Sequence, residues 1–218
     1  PLLLLAPGLA WLAIFFLVPL GFLAYQSLQS GTFEQGYSFT WEFSNYSEAL
    51  SDNREQLVRS FWYAGIATVL ALAFSYPLAY FIGVKARRWP LLQNLMLVLV
   101  IAPFFISFLL RTLAWKQLLS DESFVITSLK ALSLMAPDAH FTGTPFAVIF
   151  GLTYNFIPFM TLPLYTTLER LDLRYLEAGS DLYANPFAVF RKVTIPLSMP
   201  GIVAGTLLTF IPAAGDYV

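Results

Sequence analysis

The side chains here that could do chemistry are few, and they fall in three groups. Asp216 lies beside a long apolar run, Leu197–Val218. An acid in such surroundings is costly to bury, which makes it a functional candidate by default. It could meet a cationic substrate, or it could sit at an interface where water solvates it. The second group is Thr153, Tyr154, Asn155, Thr161 and Tyr165, interrupted by Pro158 and Pro163. That composition suits a helix lining a polar pathway, with hydrogen bonding between helices as the plainer alternative. The third group is Glu177, Asp181 and Arg191, in a charged segment between two apolar runs. Other chemistry is excluded by what the chain lacks. It has no Cys, hence no disulfide, thiolate metal site or Cys nucleophile. Its one His, His140, is a poor metal site by itself and reads as a loop residue. No Gly-Lys dipeptide occurs, so no P-loop cradles nucleotide phosphates and the chain cannot hydrolyse ATP alone.

The elements that must position these groups are membrane helices. Of 218 residues, 58% are hydrophobic and 11% charged, and the mean hydropathy is +0.68. Soluble proteins carry roughly 25% charged residues. A chain this apolar needs lipid as part of its solvent. Its net charge of −1 offers no basic face for nucleic acid. A helix needs about 20 mostly apolar residues to cross the hydrocarbon core, and five stretches qualify: 2–25, 61–84, 91–110, 145–168 and 197–218. The first four hold no carboxylate. The chain starts at Pro1 inside one apolar run and stops at Val218 inside another, so both ends read as limits of coverage. The first run is long and uncharged until Glu34, which favours an anchored helix over a cleaved signal peptide.

Basic residues orient the spans. Lys85, Arg87 and Arg88 lie between spans two and three; Arg170, Arg174, Arg191 and Lys192 lie between spans four and five. The remaining five basic residues are spread over loops 26–60 and 111–144, about twice the length, among eight acids. The first set is therefore expected in the cytoplasm together with the N-terminus, and the two longer loops outside. Within the second of these, Phe124–Met135 has apolar residues at helical spacing but is too short to span; an interfacial or extracytoplasmic helix is expected.

Two ridges of small residues are set up for close helix packing, which in lipid replaces burial from water as the associating force. Span two carries Ala67, Ala71, Ser75, Ala79 and Gly83; span five carries Gly201, Gly205, Thr209 and Ala213. The charged segment 169–196 reads as two short helices with a break. Tyr175–Ala184 is helix-compatible, Asn185 is a good N-cap and Pro186 a good first-turn residue. Leu176, Leu182 or Tyr183, and Phe187 can form an apolar face while Glu177, Asp181 and Arg191 stay polar. Such a helix lies on a membrane surface or fits a partner's groove.

This segment resembles the EAA loop of type I ABC importer permeases, whose pattern is Glu-Ala-Ala, three residues, Gly, then a spacer leading to Ile-x-Leu-Pro. Glu177, Ala178, Asp181, Leu182, Ala184, Phe190 and Arg191 match common choices, as do Ile195-Pro196-Leu197 and Pro200-Gly201-Ile202 with Ala204-Gly205. Two positions depart: Gly179 stands where the second Ala is usual, and Tyr183 where the Gly is usual. Beyond the loop, Thr144–Ile149, Gly151-Leu152-x-Tyr154, Ile157–Tyr165, Leu168-Glu169-x-Leu171-Asp172 and Phe210–Ala213 are similar to the spermidine/putrescine branch. Tyr76–Ala79 and Ala102–Phe105 fit it too.

The resemblance implies an all-α polytopic helical bundle of the MetI-like permease fold, a single transmembrane domain over 1–218, with five spans of an expected six. It implies a bacterial inner-membrane subunit that forms the path for polyamines, with ferric iron or an oxyanion as the alternative cargo. Expected partners are an ABC ATPase homodimer that holds the ATP and Mg, a second permease, an extracytoplasmic substrate-binding protein and the bilayer; this chain itself would carry no cofactor. The loop would be the coupling helix, with Glu177, Ala178, Asp181, Leu182, Tyr183, Ala184, Phe187 and Arg191 on the ATPase. Tyr154, Asn155, Tyr165 and Asp216 would line the path, and Ala71, Ser75, Ala79, Gly201 and Gly205 would pack helices. An ion-coupled secondary transporter would need intramembrane carboxylates or broken repeats, and a membrane enzyme would need clustered catalytic groups; neither pattern is found.

Overall fold

The computed structural model describes residues 2–32, 36–133, 136, 139–183 and 185–216. The chain divides into two units, residues 1–58 and 59–218, with the division inside one helix. In the first unit, α1 (Leu2–Leu12) and α2 (Val18–Ser27) join through a π-helical turn, Ala13–Leu17. A hairpin of β1 (Gln29–Thr32) and β2 (Gly36–Phe39) follows, antiparallel, with Gln29 opposite Phe39. Then comes α3 (Ser44–Asp52). Asn45 Nδ2 donates to the carbonyls of Ser27 and Gln29 at 3.0 and 2.9 Å, and the Tyr25 and Phe39 rings stack at 4.7 Å, which ties the end of α2 to the hairpin and α3.

The second unit is built around one central helix. Its elements in order are α4 (Arg54–Tyr80), α5 (Pro90–Ile101), α6 (Phe108–Leu118), α7 (Phe124–Ala131), α8 (Pro145–Glu169), α9 (Arg174–Asp181), α10 (Pro186–Val189) and α11 (Ile195–Ala214). Thr144 starts α8: its Oγ1 accepts from the Ala147 amide at 3.3 Å, and Pro145 fills the first helical position, where no amide is needed. Pro158 and Pro163 then sit inside an unbroken 25-residue helix. Thr153, Thr161 and Thr167 hydroxyls donate to carbonyls one turn back, at 2.7–2.9 Å.

Both small-residue ridges are buried. Ala67, Ala71, Ser75 and Ala79 are fully buried, and Ser75 Oγ donates to the Ile157 carbonyl at 3.2 Å. Ala71 and Ala79 share a core with Met160, Leu164 and Leu168; Ala64 and Ala67 share another with Leu152, Phe156 and Ala213. On the other side α11 packs closely along α8. A Cβ on Gly201 would come within 2.8 Å of the Pro163 carbonyl oxygen, and one on Gly205 within 2.7 Å of Met160 Sδ. Only glycine permits that approach, the arrangement lipid-embedded helices use in place of hydrophobic burial.

Among the described residues, four helical stretches are long and apolar enough to cross a membrane: Leu5–Ser27, Arg54–Arg88, Pro145–Glu169 and Pro186–Ala214. The helices differ in extent from the expected spans at three places. The helix that holds 61–84 runs from Arg54 through a π-helical stretch, Phe81–Lys85, to Arg88. The helix that enters 197–218 starts at Pro186, because Asn185 caps it and a π-helical stretch, Phe190–Thr194, carries it into α11. Expected span 91–110 is not one helix. After Pro103 the chain leaves helical geometry at Ile106, Ser107 starts α6, and the two arms meet at 94°. A bent pair of this kind is a broken span or a re-entrant loop.

Candidate functional site

The charged segment projects from the end of the bundle where Lys85–Arg88 and Arg170 cluster. Asp172 Oδ1 accepts from the Arg174 amide at 3.0 Å and starts α9. Four residues after α9 the chain restarts at Asn185, whose Oδ1 accepts from the Ala188 amide at 2.7 Å, with Pro186 in the first turn. Between them Tyr183 adopts φ +56°, the left-handed region that favours glycine. The position is thus where the EAA pattern has its Gly, and the geometry shows why a Gly suits it. Gly179 has its own reason: a Cβ there would meet Val189 Cγ2 at 3.2 Å, so α9 lies directly on the start of the next helix.

The faces sort clearly. Leu182, Tyr183 and Phe187 are 81, 100 and 70% exposed. Glu177, Ala178, Asp181 and Arg191 are exposed as well, while Leu176 is half-buried. Ala184 lies outside the described residues. Val189, Thr194 and Leu171 are buried behind this surface, and Phe190 stands edge-on to Tyr76 and Tyr80, at 5.4 and 5.9 Å. The result is a loop that leaves large apolar side chains exposed over a buried backing.

Toward the other end, α6, α8, residues 142–143 and the end of α11 enclose a cavity of about 410 Å³. Asn155 and Asp216 line it together with Phe108, Thr112, Trp115 and Lys116. Asn155 is buried, and its Oδ1 has no partner among the described residues. Tyr154 and Tyr165 do not join them. Tyr154 points past the cavity, edge-on to Trp115 at 5.0 Å, and lines a smaller apolar hollow with Met96 and Pro103. Tyr165 is three helical turns further along α8; its hydroxyl donates to the Glu169 carboxylate near the basic end. Beside the cavity, Asp121 accepts from His140 Nδ1 at 2.5 Å and from Lys130 Nζ at 3.2 Å. The His140 hydrogen bond, ahead of the Lys130 bond, holds the Asp121 carboxyl below its ordinary value. This joins α7, which Ser123 caps at its N-terminus, to the loop before α8.

A long helical frame and a buried glycine seam are what membrane-embedded helices use to associate, and the sequence comparisons supply the family. Residues 75–218 match the family described as binding-protein-dependent transport system inner membrane component. The chain belongs to this family. Among its relatives, the spermidine/putrescine transport system permease protein PotB of Haemophilus influenzae is 36% identical over 209 residues, covering 95% of this chain and 72% of the relative. PotB of Escherichia coli K12 is 34% identical over 206 residues, covering 94% and 74%. The inner membrane ABC transporter permease protein YdcU of the same organism is 28% identical over 179 residues, covering 76% and 56%.

Sequence reasoning missed three residues of this permease. Arg87 entered only as a positive charge, yet its guanidinium reaches the end of α8. Trp115 packs edge-on between Phe150 and Tyr154 and forms a cavity wall. Arg111 is buried in α6, its guanidinium over the Phe108 ring at 5.9 Å. A Trp four residues after an Arg, following a Ser that could start a helix, was the available signal for the one covered face of α6.

Proposed function

We propose that this permease moves polyamines inward, driven by a separate ATPase that docks on the α9–Pro186 loop. The observation that carries this reading is the loop itself: Leu182, Tyr183 and Phe187 are left exposed on a backbone tied by the Asn185 cap and the close approach of Gly179 to Val189. Exposed large apolar groups ringed by polar ones mark an interaction surface. Glu177, Asp181 and Arg191 would supply the polar contacts around them, and Ala184 would lie among them. ATP and its Mg would belong to the ATPase dimer. In this reading the basic end and the N-terminus face the cytoplasm, as the excess of Lys and Arg there requires. A second permease would complete the path, and a substrate-binding protein would deliver cargo to the opposite end.

The cargo assignment rests on the relatives named for spermidine and putrescine and on the chemistry of the cavity. Asp216 would pair with an ammonium group, and the aromatic side chains of Trp115 and Phe108 line the same cavity. Asn155 would accept from an amine N–H. Tyr154, at the hollow beside Met96 and Pro103, and Tyr165 would line the path beyond this cavity.

The test is uptake of labelled spermidine, ferric iron and sulfate by the reconstituted complex. Spermidine alone should enter and stimulate ATP hydrolysis. Glu177→Lys should remove the ATPase from the purified complex and abolish uptake. Entry of iron or sulfate but not spermidine overturns the cargo; unchanged ATPase co-purification in Glu177→Lys overturns the docking surface.

A further inference from the structure

The last carbonyls of a helix have no amide partner within it. At the end of α8, one side chain collects them. Arg87 Nη2 donates to the Leu168 carbonyl at 2.7 Å and also to that of Glu169, and Nη1 donates to the Leu171 carbonyl at 3.1 Å. Its Nε donates back to the Gly83 carbonyl at 2.5 Å, so the side chain is anchored at its root. Arg87 therefore spans from the end of the Arg54–Arg88 helix to the end of α8, more than 80 residues later. A cation at a helix C-terminus is also favoured by the helix dipole. Gly83 makes the approach possible: a Cβ there would lie 3.2 Å from the Glu169 amide nitrogen. From the α5 side, Gln93 Nε2 approaches Glu169 Oε1 at 3.4 Å and the Tyr165 hydroxyl at 3.3 Å.

This knot sits at the root of the proposed docking loop. Leu171 is two residues from Leu173, whose carbonyl accepts from the Leu176 and Glu177 amides of α9. A push on α9 reaches α8 through 168–173, and Arg87 ties the backbone of that stretch to the Arg54–Arg88 helix. Two π-helical stretches, Phe81–Lys85 and Phe190–Thr194, flank the knot. Such bulges recur at functional sites.

We propose that Arg87 is a positioning residue for coupling: it locks the end of the Arg54–Arg88 helix to the end of α8 so that movement of the ATPase-bound loop is transmitted into the path as one motion. This rests on the reading that the α9–Pro186 loop docks the ATPase. Lys cannot replace it, because one ammonium cannot reach three carbonyls in the planar arrangement a guanidinium offers.

The experiment measures two quantities on the reconstituted complex: ATPase co-purification, and spermidine imported per ATP hydrolysed. A fault in folding or docking lowers the amount of complex but leaves that ratio alone. Arg87→Lys and Arg87→Gln should keep the ATPase bound and lower the ratio on the order of tenfold, a typical coupling between sites, with Arg87→Lys the less affected. A wild-type ratio in Arg87→Lys overturns the proposal, whether or not Arg87→Gln assembles. Glu177→Lys, run beside them, reports on the docking reading separately: retention of its ATPase overturns that reading, whatever the Arg87 variants do.

Discussion

Tyr183 is held at φ +56° with its side chain fully exposed. A non-glycine residue in the left-handed region costs about 1–2 kcal/mol, and a fully exposed ring offers no burial to offset it. Docking of the ring on the ATPase would offset it. Tyr183→Gly should therefore stabilise the isolated permease, by about 1 kcal/mol at most once glycine's greater backbone freedom is set against it. The same change should weaken ATPase binding about tenfold, the loss of an exposed aromatic anchor. Thermal unfolding in detergent and an ATPase titration measure the two effects; tighter or unchanged ATPase binding refutes the anchor role. This residue was half legible in sequence. The EAA pattern marked it as a glycine position, and Asn185-Pro186 marked the helix restart after it, because capping chemistry is local. Arg87 was not legible at all. Its partners are backbone carbonyls 81–84 positions away, and a carbonyl carries no sequence identity.

At the scale of elements, local signals and composition diverge. The start of α8 at Thr144-Pro145 and the small-residue ridges follow from side-chain chemistry and spacing. The 94° bend between α5 and α6 does not. Residues 91–110 are uncharged and mostly apolar, and lipid and protein interior select apolar residues alike, so hydropathy cannot tell a straight span from a folded-back one. Pro103 and Ser107 were the only punctuation. The clasp on α7 makes a prediction of its own. Asp121 titrates below its ordinary value of 3.8 because His140, then Lys130, bond the carboxylate. A lowered folded-state value means the carboxylate's contribution is fully present above 3.8 and fades as pH falls through the lowered value. Asp121→Asn should accordingly reduce hydrogen-exchange protection of Phe124–Ala131 at neutral pH, yet match the wild type in strong acid, where Asp121 is itself protonated. Equal protection at neutral pH would show the clasp holds nothing.

For the whole second unit, α8 is the shared member: the α4 ridge meets it on one side and the α11 glycines on the other, with the cavity toward its first half and the loop at its last residue. Its 25 residues span about 37 Å, enough to carry a displacement from one end of the bundle to the other if its two seams hold. The seams can be ranked. At Gly201 a new Cβ meets the Pro163 carbonyl oxygen at 2.8 Å and Thr167 Oγ1 at 2.6 Å; the first is helix backbone and cannot yield without moving α8. At Gly205 the closest atom, at 2.7 Å, is Met160 Sδ, within a flexible unbranched side chain, and the backbone is further off at 3.1 Å. Overpacking costs typically 1–3 kcal/mol. Gly201→Ala should therefore fall near the upper end, about 3 kcal/mol, and Gly205→Ala near about 1 kcal/mol, read as denaturant or thermal unfolding of the purified permease. Equal losses, or a larger one for Gly205→Ala, would mean that α11 shifts freely along α8, and that the seam does not fix the helix on which the loop and the cavity both depend.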